Sequence, residues 1–141
     1  MRRAGQKLEF RLTSPVEFWS AKLATSVFVP TGFTTDFASV GRALEWLVRD
    51  TDSDIALAAV LHDYAYRTGG KIAPYTQITR SDADALMLDA MLTHWALSYP
   101  DGGFRAWRAR AKINLVYAGI RSGGWYTWRQ VAKQKAINEK P

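Results

Sequence analysis

Residues 54–70 read DIALAAVLHDYAYRTGG. The run is apolar, yet it carries His62, one of only two histidines in the chain, directly before Asp63, with Tyr64 and Tyr66 close behind. Ser53 is placed to cap a helix beginning at Asp54, whose carboxylate suits the positive N-terminal end. Gly69 and Gly70 are placed to end that helix just after Arg67. Ile55, Ala58, Ala59, His62 and Tyr66 share one face at helical spacing, and Leu57, Val60, Leu61 and Tyr64 fill the others. A helix apolar on nearly every side belongs at the centre of a fold.

Downstream, GGKIAPYTQITR (69–80) reads as a loop. Ser81 then caps a second helix, from Asp82 to about Leu97, with an apolar stripe of Ala83, Leu86, Met87, Ala90, Met91 and His94, the histidine being a core residue. SYPDGG (98–103) is a break. A third helix is expected from Phe104 to Arg121, stopped by Gly123 and Gly124, with Phe104, Trp107, Ala111, Leu115 and Ala118 facing the core. A short fourth helix follows over Trp128–Ile137. Upstream, KLEFRL (7–12), EFWSAKL (17–23) and SVFVP (26–30) alternate as short antiparallel strands do, and PTGFTTDFASVGR (30–42) reads as an ordered loop. The sum is an α+β fold in one domain. Residues 1–50 form a small antiparallel β layer and loop, and 51–137 form a helical bundle around a central antiparallel helix pair.

Composition narrows the function classes. The chain has 141 residues, 48% hydrophobic and 23% charged, as in a globular domain. It contains no cysteine, which excludes disulfides and thiolate metal sites. No apolar run approaches the ~20 residues that span a bilayer, and MRRAGQKLEF lacks the apolar stretch of a signal peptide. The net charge of +6 is uneven: Phe104–Ile137 holds eight Lys or Arg and no Asp or Glu. Such a segment is a solvated helix face or meets a membrane or an acidic partner; nothing else in the sequence points to nucleic acid. Trp125 and Trp128, in RSGGWYTWRQ (121–130), are candidate partner-binding anchors.

Adjacent helical residues point about 100° apart, so His62 and Asp63 serve different partners. His62 lies five residues before its helix ends, about 7.5 Å along the axis, and Asp84 three residues into the next, about 4.5 Å. In an antiparallel pair these heights bring imidazole and carboxylate together, and such an acceptor fixes a histidine's tautomer. A competing reading uses Asp84 to cap its own helix, through Ser81-x-x-Asp84. Asp36, in TTDFAS, is either a metal ligand or a turn residue bonded to its own backbone.

HDYAY (62–66) resembles the H-D-x-x-Y signature of secreted and parvoviral phospholipases A2. The parvoviral form continues with Pro-Tyr and A-D-x-x-F, matched here by Pro74-Tyr75 and Ala83-Asp84-Ala85-Leu86-Met87. The resemblance implies that His62 is the general base, Asp63 a calcium ligand, Asp84 the supporting carboxylate and Tyr66 its hydrogen-bond donor. Those enzymes complete the calcium site from a glycine-rich loop. Here VPTGFTTDFASVGRAL (29–44) has its glycines far apart, so backbone carbonyls or Asp36 would have to substitute.

Four blocks in order, VPTGFTTDFASVGR, AAVLHDYAY, DADALMLDAM and YAGIRSGG, are similar to a family of small proteins from tailed bacteriophages and prophages. That resemblance implies a chain carried in the phage particle, in contact with other tail or virion proteins and with the host envelope. Two functions follow as expectations. One is a metal-assisted hydrolase of the host cell envelope, with a His62–Asp84 dyad and an open cleft. The other is a non-catalytic tail component that keeps the helix pair as scaffold, with those residues buried and mutually satisfied. A metal phosphohydrolase of the H…HD…D kind is excluded, because no histidine precedes His62.

Overall fold

A computed structural model describes residues 10–35 and 53–138. Short antiparallel strands come first and helices after, an α+β arrangement. Among the described residues the strands pair as two-stranded antiparallel ribbons. β1 (Phe10–Arg11) pairs with β4 (Thr34–Thr35), and β2 (Val16–Ser20) pairs with β3 (Thr25–Val29). In the β2–β3 hairpin Ser20, Val27 and Val29 are buried while Trp19 and Phe28 stay exposed. The Ser20 hydroxyl donates to Asp89 Oδ2 at 2.7 Å, which pins the hairpin to the second helix.

α1 (Ser53–Arg67) has the extent expected and is buried on most sides. Its C-terminus is a Schellman motif. Gly70 N–H donates to the Ala65 carbonyl and Gly69 N–H to that of Tyr66, with Gly69 at φ 63°. Gly70 then turns at φ 89°, where a Cβ would collide with the Ile78 carbonyl. The segment expected to be a loop folds into a tight hairpin, β5 (Lys71–Ala73) with β6 (Thr76–Gln77). Strands of three and two residues, joined through a bulge, are too short to show a period of two.

α2 (Arg80–Ser98) begins two residues earlier than the sequence suggested. Thr79, not Ser81, is the N-cap. Its hydroxyl accepts from Asp82 N–H at 3.1 Å, and Asp82 returns the bond to Thr79 N–H at 3.2 Å. Both Thr79-x-x-Asp82 and Ser81-x-x-Asp84 have capping-box spacing, and the first wins because Asp84 is engaged elsewhere. Met87 and Met91 are buried as expected, but His94, further along the stripe, is only half-buried.

The third and fourth helices are one. α3 (Phe104–Asn138) runs unbroken through Gly123 and Gly124. Two glycines cost a helix about 1 kcal/mol each relative to alanine. Continuing straight carries Trp128 onto the Tyr66 ring, edge to face at 5.1 Å between centroids, which offsets that cost. The rotation of α3 also differs from expectation. Ala106, Ile113, Val116 and Ile120 face the core, while Phe104, Trp107 and Leu115 are exposed.

α2 lies between α1 and α3 and packs against both. The end of α1 meets the start of α2 at Asp84, while Ile55, near the start of α1, shares a cleft with Met91 and Trp95 near the far end of α2. The two helices are therefore antiparallel. None of the described helices is long and apolar enough to cross a membrane.

Candidate functional site

The site is assembled from the three described helices around one carboxylate. Asp84, in the second turn of α2, is completely buried, as are His62 and Tyr66 one turn apart on α1. His62 Nε2 lies 2.7 Å from Asp84 Oδ1, and the Tyr66 hydroxyl donates to the same oxygen at 2.6 Å. Arg121 Nη1, from α3, donates to Oδ2 at 2.7 Å. The His62 and Tyr66 rings lie 4.2 Å apart, and Trp128 closes over the far side of Tyr66.

Burial opposes ionisation of Asp84 more than any other single influence. The hydrogen bonds from His62, Tyr66 and Arg121 together outweigh it, so the carboxyl sits below its ordinary range. An ionised carboxylate only accepts, so His62 must carry its proton on Nε2. Burial, and then donation to Asp84, push the Tyr66 hydroxyl far above its ordinary value. The bond to Asp84 likewise raises the Arg121 guanidinium. The result is an ion pair with two further donors, in which both carboxylate oxygens are engaged.

Asp63 does not join this group. It points to a different side of α1, as adjacent helical residues must, and its Oδ2 lies 3.2 Å from Arg67 Nε one turn along. Arg67 in turn lies 5.7 Å over the Phe33 ring, and Phe33 meets Tyr64 edge to face. The calcium expectation needs a cation at Asp63, but a guanidinium of the same chain already sits there. Among the described residues no group of three or more His, Asp or Glu is placed to hold a metal ion. Asp36 lies outside the described residues, as does the side chain of Trp125. Trp128, expected as an exposed anchor, is instead half-buried against Tyr66 and the core.

Among the described residues, a depression of about 310 Å³ is lined by Ser26, Phe28, Tyr64, Lys71, Ile72, Ala73 and Pro74, and a smaller one by Ile55, Met91, Trp95 and Ile113, neither of them by His62 or Asp84. Sequence reading found His62, Tyr66 and Asp84 but gave Arg121 no role. Its signal was present in YAGIRSGG, where a lone arginine sits among small and apolar residues on the inner side of a helix.

The described residues thus form an α+β protein in which a buried histidine–carboxylate node ties three helices together. The chain belongs to the family described as "Protein of unknown function (DUF1353)", whose model matches residues 10–100. That span includes His62, Asp63, Tyr66 and Asp84 and ends before Arg121. No curated protein and no solved structure matches the chain.

Proposed function

We propose that this chain is a non-catalytic component of a bacteriophage particle, seated among tail or virion proteins, and that the Asp84 node locks its helices into one rigid unit. The observation that carries the lock is the complete burial of a carboxylate whose two oxygens receive donors from α1 and α3. A catalytic base must reach a water and a substrate, whereas these groups reach one another. Arg67 beside Asp63 adds to this, because it neutralises the carboxylate that an electrophilic metal would need. The particle placement rests on the four ordered sequence blocks and on their resemblance to phage and prophage proteins.

One observation favours the alternative, an ester hydrolase of the host envelope: Asp84 holds the ring of His62 through Nε2, with Tyr66 as second donor to the same carboxylate, which fixes the histidine's tautomer as a base requires. In that reading any calcium would draw on residues beyond those described, Asp36 among them.

One experiment separates the two. Fatty-acid release from phospholipid vesicles is measured with and without calcium, for the natural chain and for His62→Ala, alongside their thermal melting. The lock predicts no release under any condition and a marked loss of melting temperature in the variant. Calcium-dependent release that His62→Ala abolishes would reverse the assignment. The particle placement is checked separately by mass spectrometry of purified particles: absence from particles, with abundance in the surrounding lysate, would remove it.

A further inference from the structure

We infer that the outer face of α3, from Phe104 to Ala118, docks on an anionic phospholipid surface. Phe104, Trp107 and Leu115 are 73, 66 and 56% exposed, far more than side chains of this size retain in a packed helix. With 100° between successive residues, these three together with Ala111 and Ala118 fall within a band about 80° wide along one side of the helix. The rings of Phe104 and Trp107 stack at 5.9 Å and form a single apolar ridge at its start. The opposite side of α3 is committed to the core through Ala106, Ile113, Val116 and Ile120, and Arg121 is held by Asp84. The helix therefore cannot rotate to hide its outer band.

Charge selects the occupant. Arg105 and Arg108 are exposed and flank the band on one side, with Lys112 half-buried beside them. On the other side the Arg110 guanidinium lies 5.3 Å over Trp95. No acidic residue occurs between Phe104 and Ile137. A band of Phe, Trp and Leu edged by arginine is the composition of a helix that lies in a membrane interface, rings among the headgroups and cations on the phosphates. A second copy of the chain would set arginine against arginine. Duplex nucleic acid would engage the arginines and leave three large apolar side chains in water. The inference is independent of the proposed function and holds for a particle component or for a free protein.

The test is co-sedimentation of the full chain with vesicles of phosphatidylcholine, alone or mixed with phosphatidylglycerol. Binding is expected with the mixed vesicles, and about tenfold or more weaker with phosphatidylcholine alone and at high salt. The triple change Phe104→Ser, Trp107→Ser, Leu115→Ser and the double change Arg105→Glu, Arg108→Glu are each expected to weaken binding about tenfold or more. All five residues are exposed, so circular dichroism and melting of both variants should match the natural chain. Three results would overturn the inference. The natural chain could stay in the supernatant with anionic vesicles, or both variants could sediment as it does. Ultracentrifugation could also reveal a dimer that the triple change alone makes monomeric, which would give the band to a second copy.

Discussion

The two sides of α3 carry apolar stripes of the same period and opposite fate. Ala106, Ile113, Val116 and Ile120 are buried, while the bulkier Phe104, Trp107 and Leu115 stand in solvent. Hydrophobicity alone would have chosen the second set. Two features choose the first. Ala106 is small enough for its backbone to come close to α2, and its carbonyl accepts the Trp95 indole N–H at 2.8 Å. Arg121 must reach Asp84, and that fixes the rotation of the helix. A polar contact thus decides which apolar face becomes core.

Removing that contact is the strongest way to break the comparison. Asp84→Ala takes the acceptor from three donors at once and leaves His62 and Tyr66 buried without it. Each buried donor left without its acceptor costs about 1–3 kcal/mol, so the loss for His62 and Tyr66 together is about 2–6 kcal/mol, read as a shift in urea midpoint at unchanged slope. If the carboxylate only capped its own helix, the loss would be about 1 kcal/mol, the value expected instead for Thr79→Ala at the true cap. A loss near the smaller figure for Asp84→Ala would show that the node does not hold α3 in place.

What was legible in the sequence follows the range of the interaction. The C-terminal end of α1 was readable because a Schellman glycine pair is local. The His62–Asp84 contact was readable because helical rise and one short connection set both heights. The Asp63–Arg67 pair, four residues apart on one helix, was equally local but was masked by the expectation of a metal. Arg121 lies 37 positions beyond Asp84, and its role depends on how α3 packs, which no local pattern encodes. The same missing information let the larger stripe of α3 pass for core. It also let Gly123 and Gly124 pass for a stop, since only the contact of Trp128 with Tyr66 explains why the helix goes on.

A smaller effect sharpens the contrast between the two faces directly. Ile120→Ala removes a fully buried side chain and leaves a cavity, at a cost of about 2–4 kcal/mol. Leu115→Ala, five residues earlier on the outer side, should change stability by no more than about 0.5 kcal/mol. The pair is read in one denaturation series. Equal losses would mean that the outer band is covered in the isolated protein, by another copy or by another part of the chain.

The smallest expected effect concerns the Tyr66 hydroxyl, and it depends on pH. Tyr66→Phe removes one hydrogen bond to Asp84 and leaves His62 and Arg121 in place, a loss of about 1 kcal/mol near neutrality. Asp84 has its folded pKa depressed. Its contribution is therefore present above the unfolded carboxyl value, near 3.9, and fades as pH falls through the lower folded value, which is less depressed in Tyr66→Phe because one of its hydrogen bonds is gone. Tyr66 has its folded pKa raised. Its contribution is complete below about pH 10, where the unfolded phenol titrates, and is lost as pH climbs towards the folded value. The stability gap between the natural chain and Tyr66→Phe should hold steady from about pH 5 to 9 and then narrow, because only the natural chain must keep this buried phenol protonated. Other tyrosines titrate in both proteins and cancel in the difference. A gap that stayed constant up to about pH 11 would mean that the hydroxyl reaches water on opening far short of unfolding, and the node would then be looser on its α1 side than on its α3 side.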